Sequence, residues 1–308
     1  MIAGIGELLW DIYQGEKFLG GATFNCVHHA QQLGYEGIII SRIGNDQSGI
    51  DLLNKMKQKG YNCDFVQIDK KNETGYVNIE LDENAEPRFT CSEIAPYYFL
   101  EWDDRFEDLS NNLDVVIFGT FSQREKQAEE ITERFLKINS KALKVFDVNF
   151  REWNNNVKKV TLNCLRYTDV LKINENELIK LQELIPISSS EPVSYLNGLI
   201  SKYKLKLVCL TLGEWGSFLS DGQYNVYCPG VKIQPVDSTG AGDAFITTLT
   251  IKLNEGCDLK DAGSFANLVS SYVVTQKGAT PEYDIGKIYD FAGSMEEFNI
   301  ISEFKDYL

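Results

Sequence analysis

The chain has 308 residues and a formal net charge of −15, with 43% hydrophobic and 24% charged residues. This acidic charge opposes broad contact with nucleic acid or with an anionic membrane surface. No apolar run approaches the roughly 18 residues that a membrane helix needs. The first residues lack the basic and apolar regions of a signal peptide, so we expect a cytoplasmic protein.

The cysteines and histidines indicate neither a disulfide framework nor a metal site. Seven cysteines occur without a CxxC pair, which argues against a disulfide framework or a zinc site. The two histidines of the chain, His28 and His29, are adjacent in a predicted helix. Their side chains point about 100° apart, which suits one partly packed and one exposed residue better than a metal pair.

Short apolar runs alternate with helical patterns along most of the chain. The apolar runs predict strands at 2–9, 37–43, 63–68, 114–120, 144–149, 169–174 and 205–212. A spacing near 3.6 residues predicts helices at 22–33, 47–59, 125–138, 157–166, 176–184, 193–203, 241–253, 260–275 and 285–291. Such alternation predicts an α/β fold, with a doubly wound, mostly parallel sheet covered by helices on both faces. No linker or repeat divides the chain, so we expect a single domain over residues 1–308.

Two segments interrupt this alternation. Residues 73–92 alternate with period two on both sides of a DENAEP turn, and they predict an antiparallel hairpin. A short extended piece at 13–19 precedes Gly20 and Gly21. Both pieces fall outside the main sheet, where they form either a small β lid over a ligand site or an ordinary surface hairpin.

The string DSTGAGDAF, residues 237–245, is the strongest chemical signal in the chain. Its glycines lead into a predicted helix, whose first N–H groups have no partner within the helix and lie at the positive end of its dipole. The turn of Gly240, Ala241 and Gly242 therefore predicts a phosphate site. Asp243, just inside the helix, can accept a proton from an attacking hydroxyl. An ordinary strand-to-helix turn also favours glycine and an N-terminal Asp.

Further polar residues follow the early strands, in the position where open α/β sheets bind ligands. Asp11 offers a carboxylate that suits two vicinal hydroxyls, although a solvated turn residue has the same pattern. Gly20 and Gly21 let a flat polar ligand lie against the backbone, and the Asn25 amide can both donate and accept hydrogen bonds. A plain turn before a helix would also contain two glycines.

These strings resemble the signatures of the PfkB family of sugar kinases, also called the ribokinase family. DSTGAGDAF is similar to the second signature over its whole length, and LGGATFN at 19–25 is similar to the first, which lies at the sugar site in that family. RIGNDQSG at 42–49 is similar to another element of the family. DVNFREW at 147–153 places Asn149 and Arg151 after a strand, as in fructokinase-like and ketodeoxygluconate kinase-like members. A surface Arg with a capping Asn would look the same.

The resemblance implies roles for individual residues. On the sugar side it implies substrate binding by Asp11, Gly20, Gly21, Asn25, Asn149 and Arg151. On the nucleotide side it implies binding by Asn174, Thr211, Gly213, Gly216, Asn267 and Gly278. It implies that Glu177 helps to organise Mg²⁺ and its waters, and that Asp237 and Thr239 border a monovalent cation in some members. The need for K⁺ stays open, because Glu282 stands where some K⁺-dependent members have a small hydroxyl residue.

The resemblance implies a ribokinase-like fold and ATP-dependent phosphorylation of a sugar hydroxyl, most similar to bacterial fructokinases. Asp243 would be the catalytic base, the 240–243 turn the anion hole, and ATP and Mg²⁺ the cofactors. The alternatives are a kinase for 2-keto-3-deoxygluconate, ribose or a nucleoside, and a non-catalytic sugar-binding regulatory protein. A nicotinamide dehydrogenase fits poorly, because the third position of a fingerprint begun by Gly4 and Gly6 holds Leu9. Lid strands pair in some relatives, so the resemblance also allows a homodimer through the lid.

Overall fold

The computed structural model describes residues 1–13, 15–81, 87–295 and 298–308. The strands are β1 (Ile2–Ile5), β2 (Leu9–Tyr13), β3 (Glu16–Gly20), β4 (Gly37–Gly44), β5 (Val66–Asp69), β6 (Tyr76–Leu81), β7 (Pro87–Cys91), β8 (Val115–Phe118), β9 (Leu143–Asp147), β10 (Val170–Asn174), β11 (Leu207–Thr211), β12 (Gly216–Ser220), β13 (Asn225–Val231) and β14 (Phe298–Asn299). The helices are α1 (Ala22–Gln32), α2 (Gln47–Gln58), α3 (Arg105–Ser110), α4 (Lys126–Ile138), α5 (Asn155–Cys164), α6 (Glu175–Leu184), α7 (Pro192–Tyr203), α8 (Ala241–Asn254), α9 (Leu259–Val274) and α10 (Ile285–Gly293).

Within the described residues, ten strands form the main sheet in the order β14-β13-β12-β11-β10-β9-β8-β1-β4-β5. Pairing is parallel from β5 to β11, and β12, β13 and β14 extend this side of the sheet in antiparallel fashion. The mostly parallel sheet is therefore confirmed. Along the chain, β4 and β5 are added on one side of β1, and the strands from β8 onward are added on the other side. The switch in strand order therefore lies between β1 and β8, where the carboxyl ends of the strands leave room for a ligand.

Helices cover both faces of this sheet, and β8 shows how the sequence directs side chains to each. Val116 and Phe118 pack in a core cluster with residues of α3 to α7. Val115 and Ile117 pack in a second cluster with residues of α1, α8 and α9. Because successive strand residues point to opposite faces, an apolar run of four supplies both cores. All nine predicted helices are present, with ends within two residues of those expected.

A separate four-stranded sheet has the order β3-β2-β6-β7 and forms the lid. The predicted hairpin corresponds to β6 and β7, which pair antiparallel. Residues 82–86 of its DENAEP turn lie outside the described residues. The single strand expected at 2–9 is wrong, because it ends at Ile5 and the chain bends at Gly6, whose φ is +148°. Leu9 then begins β2, the lid strand that pairs in parallel with β6.

Several further elements, among them α3 and the last three strands, were not predicted. The short α3 lies between the lid and β8, and the hairpin of β12 and β13 extends the main sheet. Pro229 within β13 weakens the strand signal, since proline cannot donate to a ladder. None of the helices in the described part of the chain combines the length and the apolar character needed to cross a bilayer.

The expected split between a packed and an exposed histidine is wrong, because both are buried. His28 Nε2 lies 2.8 Å from the carbonyl oxygen of Pro281. His29 Nδ1 lies 2.9 Å from the hydroxyl of Tyr283. These partners come from the C-terminal part of the chain, about 250 residues away, so no local pattern reveals them.

Candidate active site

The phosphate turn predicted from DSTGAGDAF is formed at the start of α8. Gly240 is the N-cap, with a left-handed φ of +80°, and a Cβ there would lie 2.6 Å from the carbonyl oxygen of Ala279. Glycine therefore satisfies both the backbone conformation and the close approach of the C-terminal segment. The N–H of Ala241 donates to the Ser238 carbonyl oxygen at 3.3 Å. The next two N–H groups, of Gly242 and Asp243, belong to those that a helix leaves without internal partners.

Asp243, in the first turn of α8, is buried against α1. The Asn25 amide nitrogen donates to Asp243 Oδ2 at 2.8 Å. Burial and the nearby carboxylate of Asp147 raise the pKa of Asp243 to about 6, against the lowering effects of Asn25, Lys172 and Arg151. The carboxylate is thus ionised at neutral pH but more basic than an exposed aspartate, as suits a proton acceptor. Within the described residues, Asn25 Oδ1 has no hydrogen-bond partner.

Two cavities meet at this turn. The smaller, of about 70 Å³, lies under the lid and is lined by Glu7, Leu9, Asp11, Gly21, Ala22, Asn25, Val77, Cys91, Phe121, Asn149, Arg151, Thr239, Gly240 and Asp243. The larger, of about 450 Å³, is lined on the other side by residues that include Lys172, Asn174, Thr211, Gly213, Gly216, Val231, Gly242, Phe245 and Asn267. Asp243 faces the smaller cavity and Gly242 faces the larger. One helix start therefore lies between the two cavities, which we name the lid cavity and the open cleft.

The lid cavity brings together most residues predicted for the sugar side. Burial raises the pKa of Asp11 to about 7, although the charge of Arg151 lowers it. The Asp11 carboxylate lies against Gly20, where a Cβ would overlap it. Gly21 has a φ of +106° and packs on the carbonyl of Glu7, which a Cβ would approach to 2.6 Å. Gly20 thus positions Asp11 without lining the cavity itself, whereas Gly21 lines it.

Asn149 and Arg151 enter the lid cavity from the loop after β9. Asn149 has a left-handed backbone, with a φ of +39°, a conformation that is uncommon outside glycine and that often marks a functional position. Arg151 is exposed and is the only cationic side chain among the described lining residues.

The open cleft contains five of the six residues predicted for the nucleotide side: Asn174, Thr211, Gly213, Gly216 and Asn267. The Asn267 amide nitrogen donates to the Cys228 carbonyl oxygen at 2.8 Å and so braces β13 against α9. Gly278, predicted to border the adenine, is absent from the described lining of this cleft. Its N–H donates to Asp237 Oδ2 at 3.0 Å, and it lies beside Phe18 of the lid.

The residues predicted for metals have identifiable partners. Asn174 and Glu177 form a capping box at the start of α6. The two carboxylate oxygens of Glu177 accept the backbone N–H groups of Asn174 and Phe150, at 2.8 and 3.2 Å, and burial raises its pKa. Asp237 Oδ1 accepts both the N–H and the hydroxyl of Thr239, at 2.9 and 2.7 Å. In the part of the chain that the structure describes, no group of three or more His, Cys, Asp or Glu side chains is arranged to hold a metal.

Comparison with known proteins shows the family to which the chain belongs. Residues 6–285 match the profile of the pfkB family carbohydrate kinases. The chain belongs to this family. It is 30% identical over 302 residues to a sugar kinase of Pyrococcus horikoshii, an alignment that covers 92% of this chain and 94% of its relative. It is also 28% identical to the ribokinase of Bacillus subtilis, with 84% and 82% covered, and 27% identical to a fructokinase of Vibrio alginolyticus, with 85% and 87% covered.

The crystal structure of the Pyrococcus protein, described as an uncharacterized sugar kinase in complex with ATP, superimposes with a TM-score of 0.80 at 26% identity and covers all of both chains. The ribokinase-like fold, with its large sheet and small lid, is therefore confirmed. The chain is a carbohydrate kinase, and the PfkB family recognised from DSTGAGDAF and LGGATFN is confirmed.

Sequence reasoning missed several residues at this kinase site. The Lys172 side chain, on β10, forms a buried ion pair with Asp147, on β9, at 3.0 Å. The signal was present, since both are ionisable residues inside otherwise apolar strands. Glu7 is also buried beside the lid cavity, where it accepts the Thr23 hydroxyl at 3.1 Å. The apolar lining by Val77, Cys91 and Phe121 was not foreseen, because these residues come together only when the lid covers the sheet.

Proposed function

We propose that this kinase transfers the γ-phosphoryl group of ATP to a hydroxyl of a neutral sugar in the lid cavity, with D-fructose as the first candidate. The observation that carries this proposal is the position of Asp243. Its carboxylate faces the lid cavity, while the backbone of the same turn opens onto the cleft that can hold a nucleotide. The two reactants would meet at this turn, which is the arrangement that direct transfer requires.

The proposed step is an in-line displacement. The sugar hydroxyl oxygen attacks the γ-phosphorus, its proton passes to the Asp243 carboxylate, and the bond between the γ-phosphorus and the bridging oxygen breaks. The bonding electrons leave on the β-phosphate of ADP. The N–H groups of Gly242 and Asp243 would donate to the phosphate oxygens, and such preorganised donors contribute about 3 kcal/mol each in other enzymes.

Asn25 would orient the base. Its amide nitrogen already donates to Asp243 Oδ2, which would leave the other carboxylate oxygen for the substrate hydroxyl. Its own buried Oδ1 would accept a sugar hydroxyl, which satisfies a polar atom that otherwise lacks a partner in the described residues.

Mg²⁺ would be held mainly by the phosphate oxygens of the nucleotide. Both oxygens of Glu177 accept backbone N–H groups, so this residue and Asn174 would contact the ion through water, which suits the strong hydration of Mg²⁺. When bound, the ion neutralises charge on the phosphates. A K⁺ site at Asp237 and Thr239 stays a prediction, and replacing K⁺ with Na⁺ in the assay tests it.

The charge of the lid cavity supports a neutral sugar. Glu7, Asp11 and Asp243 contribute three carboxyl groups, and Arg151 is the cation among the described lining residues. Asp243 is ionised at neutral pH and Asp11, with a pKa of about 7, is about half ionised, so the single cation of Arg151 is already balanced and does not favour an anionic ligand such as a sugar phosphate. The two oxygens of Asp11 would accept vicinal hydroxyls, and the apolar lining would pack against the C–H face of the sugar.

Arg151 favours one second candidate, 2-keto-3-deoxygluconate, whose carboxylate a guanidinium could bind. Sugar-dependent ADP release with Mg²⁺ and ATP, measured with D-fructose, D-ribose, 2-keto-3-deoxygluconate and adenosine, separates these possibilities. We expect kcat/KM to be highest for D-fructose. A higher value for the keto acid, lost in Arg151→Met, would support the second candidate instead. Sugar binding without ADP release would contradict both and favour a non-catalytic protein.

The homodimer through the lid, the cytoplasmic location and the single domain over residues 1–308 stay predictions. Sedimentation of the protein tests the first, and a single cooperative unfolding transition is expected for the last.

A further inference from the structure

The buried ion pair of Lys172 and Asp147 has no part in the transfer step described above, beyond the opposing effects of its two charges on the pKa of Asp243. The two residues are opposite each other on the parallel strands β10 and β9. Lys172 Nζ lies 3.1 Å from Oδ1 and 3.0 Å from Oδ2 of Asp147, and the side chains are only 8% and 6% exposed. Burying two charges in an apolar sheet carries a large desolvation cost before their attraction is counted. Apolar residues would fill this place at lower cost, so packing alone does not explain the pair.

The position of the ammonium group suggests what it does. A Cβ added at Gly242 would lie 2.8 Å from Lys172 Nζ, so the ammonium lies directly beneath the phosphate turn. Lys172 also lines the open cleft together with Gly242 and Asn174. A lysine ammonium has three donors, and the two oxygens of Asp147 engage two of them. Among the described residues the hydrogen bonds of Lys172 both go to Asp147, so the third donor can serve a group in the cleft.

We propose that Lys172 is a phosphate-binding residue of this kinase, which donates its third N–H to an oxygen of the γ-phosphoryl group while Asp147 holds the ammonium in place. This proposal rests on the proposed function, because it requires a nucleoside triphosphate in the open cleft. Lys172 keeps its proton throughout: the hydroxyl proton goes to Asp243, and the bonding electrons leave on the β-phosphate. The ammonium stabilises negative charge on the transferring group beside the turn N–H groups.

The competing explanation is that Lys172 only neutralises Asp147. Lys172→Met removes the charge at similar length, and the double variant Lys172→Met with Asp147→Asn also removes the unpaired carboxylate. Lys159→Met is the matched control. Lys159 of α5 forms a 2.8 Å ion pair with Glu129 of α4, and neither residue lines the open cleft. Steady-state kinetics with D-fructose would be measured at pH 7 and pH 9, together with binding of a non-hydrolysable ATP analogue and of adenosine by calorimetry.

For Lys172→Met we expect kcat to fall at least about a hundredfold and the ATP analogue to bind at least about tenfold more weakly, with unchanged adenosine binding. The double variant should regain thermal stability but not kcat. The loss should persist at pH 9, where Asp243 is ionised whatever its shift in pKa. Recovery of kcat to within tenfold of wild type, in the double variant or at pH 9, would overturn the proposal. If the single variant does not fold, the double variant decides alone.

The test also separates this proposal from the proposed function. If the wild type releases no ADP with any sugar, the proposed function fails. Binding of the ATP analogue still tests Lys172 in that case. Equal affinity for the analogue in the wild type and the double variant would overturn the lysine contact by itself.

Discussion

Replacing Asp243 by Asn should make the protein more stable while it removes most of the activity. The pKa of this carboxyl is raised from 3.8 to about 6, mainly by burial. An ionised group that is disfavoured in the folded state costs stability at every pH above its folded pKa, and the cost disappears as the pH falls toward the unfolded value. At 1.36 kcal/mol per pKa unit, the ionised Asp243 costs about 3 kcal/mol at pH 8 and about half of that at pH 5.

The neutral amide of the Asp243→Asn variant avoids this cost and keeps a hydrogen bond with Asn25. Asn25 can rotate its amide so that Oδ1, which lacks a partner among the described residues, accepts from the new side chain and preserves one hydrogen bond. We therefore expect Asp243→Asn to unfold at a higher urea concentration than the wild type at pH 8, with a free-energy gain of up to about 3 kcal/mol that shrinks by half at pH 5. Its kcat should fall at least about a hundredfold, because the hydroxyl loses its proton acceptor.

Asp69→Asn is the matched control. Asp69 is also buried, but its pKa is lowered: burial alone would raise it, and hydrogen bonds from the N–H groups of Lys71 and Asn72 and the charge of Arg42 outweigh burial. This variant should lose stability at pH 8 and keep its kcat. An Asp243→Asn protein that is no more stable than the wild type at pH 8, or whose gain is the same at pH 5, would refute the raised pKa. A variant that keeps more than a tenth of the wild-type kcat would refute the role as a base.

Three further outcomes follow from the same geometry. The kcat/KM of the wild type should begin to fall below pH 7 as Asp11 takes up a proton, and should fall at least about tenfold per pH unit below pH 6 as Asp243 does, and a profile that is flat from pH 5 to 8 would contradict this. Asp11→Ala should raise the KM for the sugar at least about tenfold, with a smaller effect on kcat, since it removes hydrogen bonds to hydroxyls; an unchanged KM would remove Asp11 from the sugar site. Gly240→Ala should lose more stability in urea than Gly256→Ala, because both have left-handed φ angles, of +80° and +88°, but only Gly240 would place a Cβ against Ala279. Equal losses, near the 1–2 kcal/mol of a left-handed alanine, would show that the contact is unimportant.

Much of the fold was predictable because its signals are local. The helices have clear apolar periodicity and recognisable ends, such as Asp46 capping α2 and Asn174 capping α6. The boundary between the main sheet and the lid was not predictable. Residues 2–9 form one apolar run, and only the bend at Gly6 places Leu9 in the other sheet. Apolar periodicity reports burial and not the sheet in which a strand is buried.

Part of the candidate site was likewise predictable from the sequence, and part was not. The turn at Gly240 and the polar residues after the strands could be placed from the sequence because their order along the chain resembles the family signatures, although ordinary turns use each of these residues singly. The ion pair of Lys172 and Asp147 was not predictable: each is recognisable as an ionisable residue in an apolar strand, but their contact depends on the pairing of β9 with β10. The two histidines were misjudged for the same reason, since their partners lie about 250 residues away. Contacts between distant segments leave no mark on the local pattern of a single sequence.

The most direct test of the account is transfer of the labelled γ-phosphoryl group of ATP to a sugar, followed in parallel for the wild type and Asp243→Asn. The account predicts one labelled sugar phosphate per ADP formed by the wild type, and at least about a hundredfold slower labelling by the variant. ADP formation without a labelled sugar, or equal labelling by both proteins, would contradict the claim that sugar and nucleotide meet at Asp243.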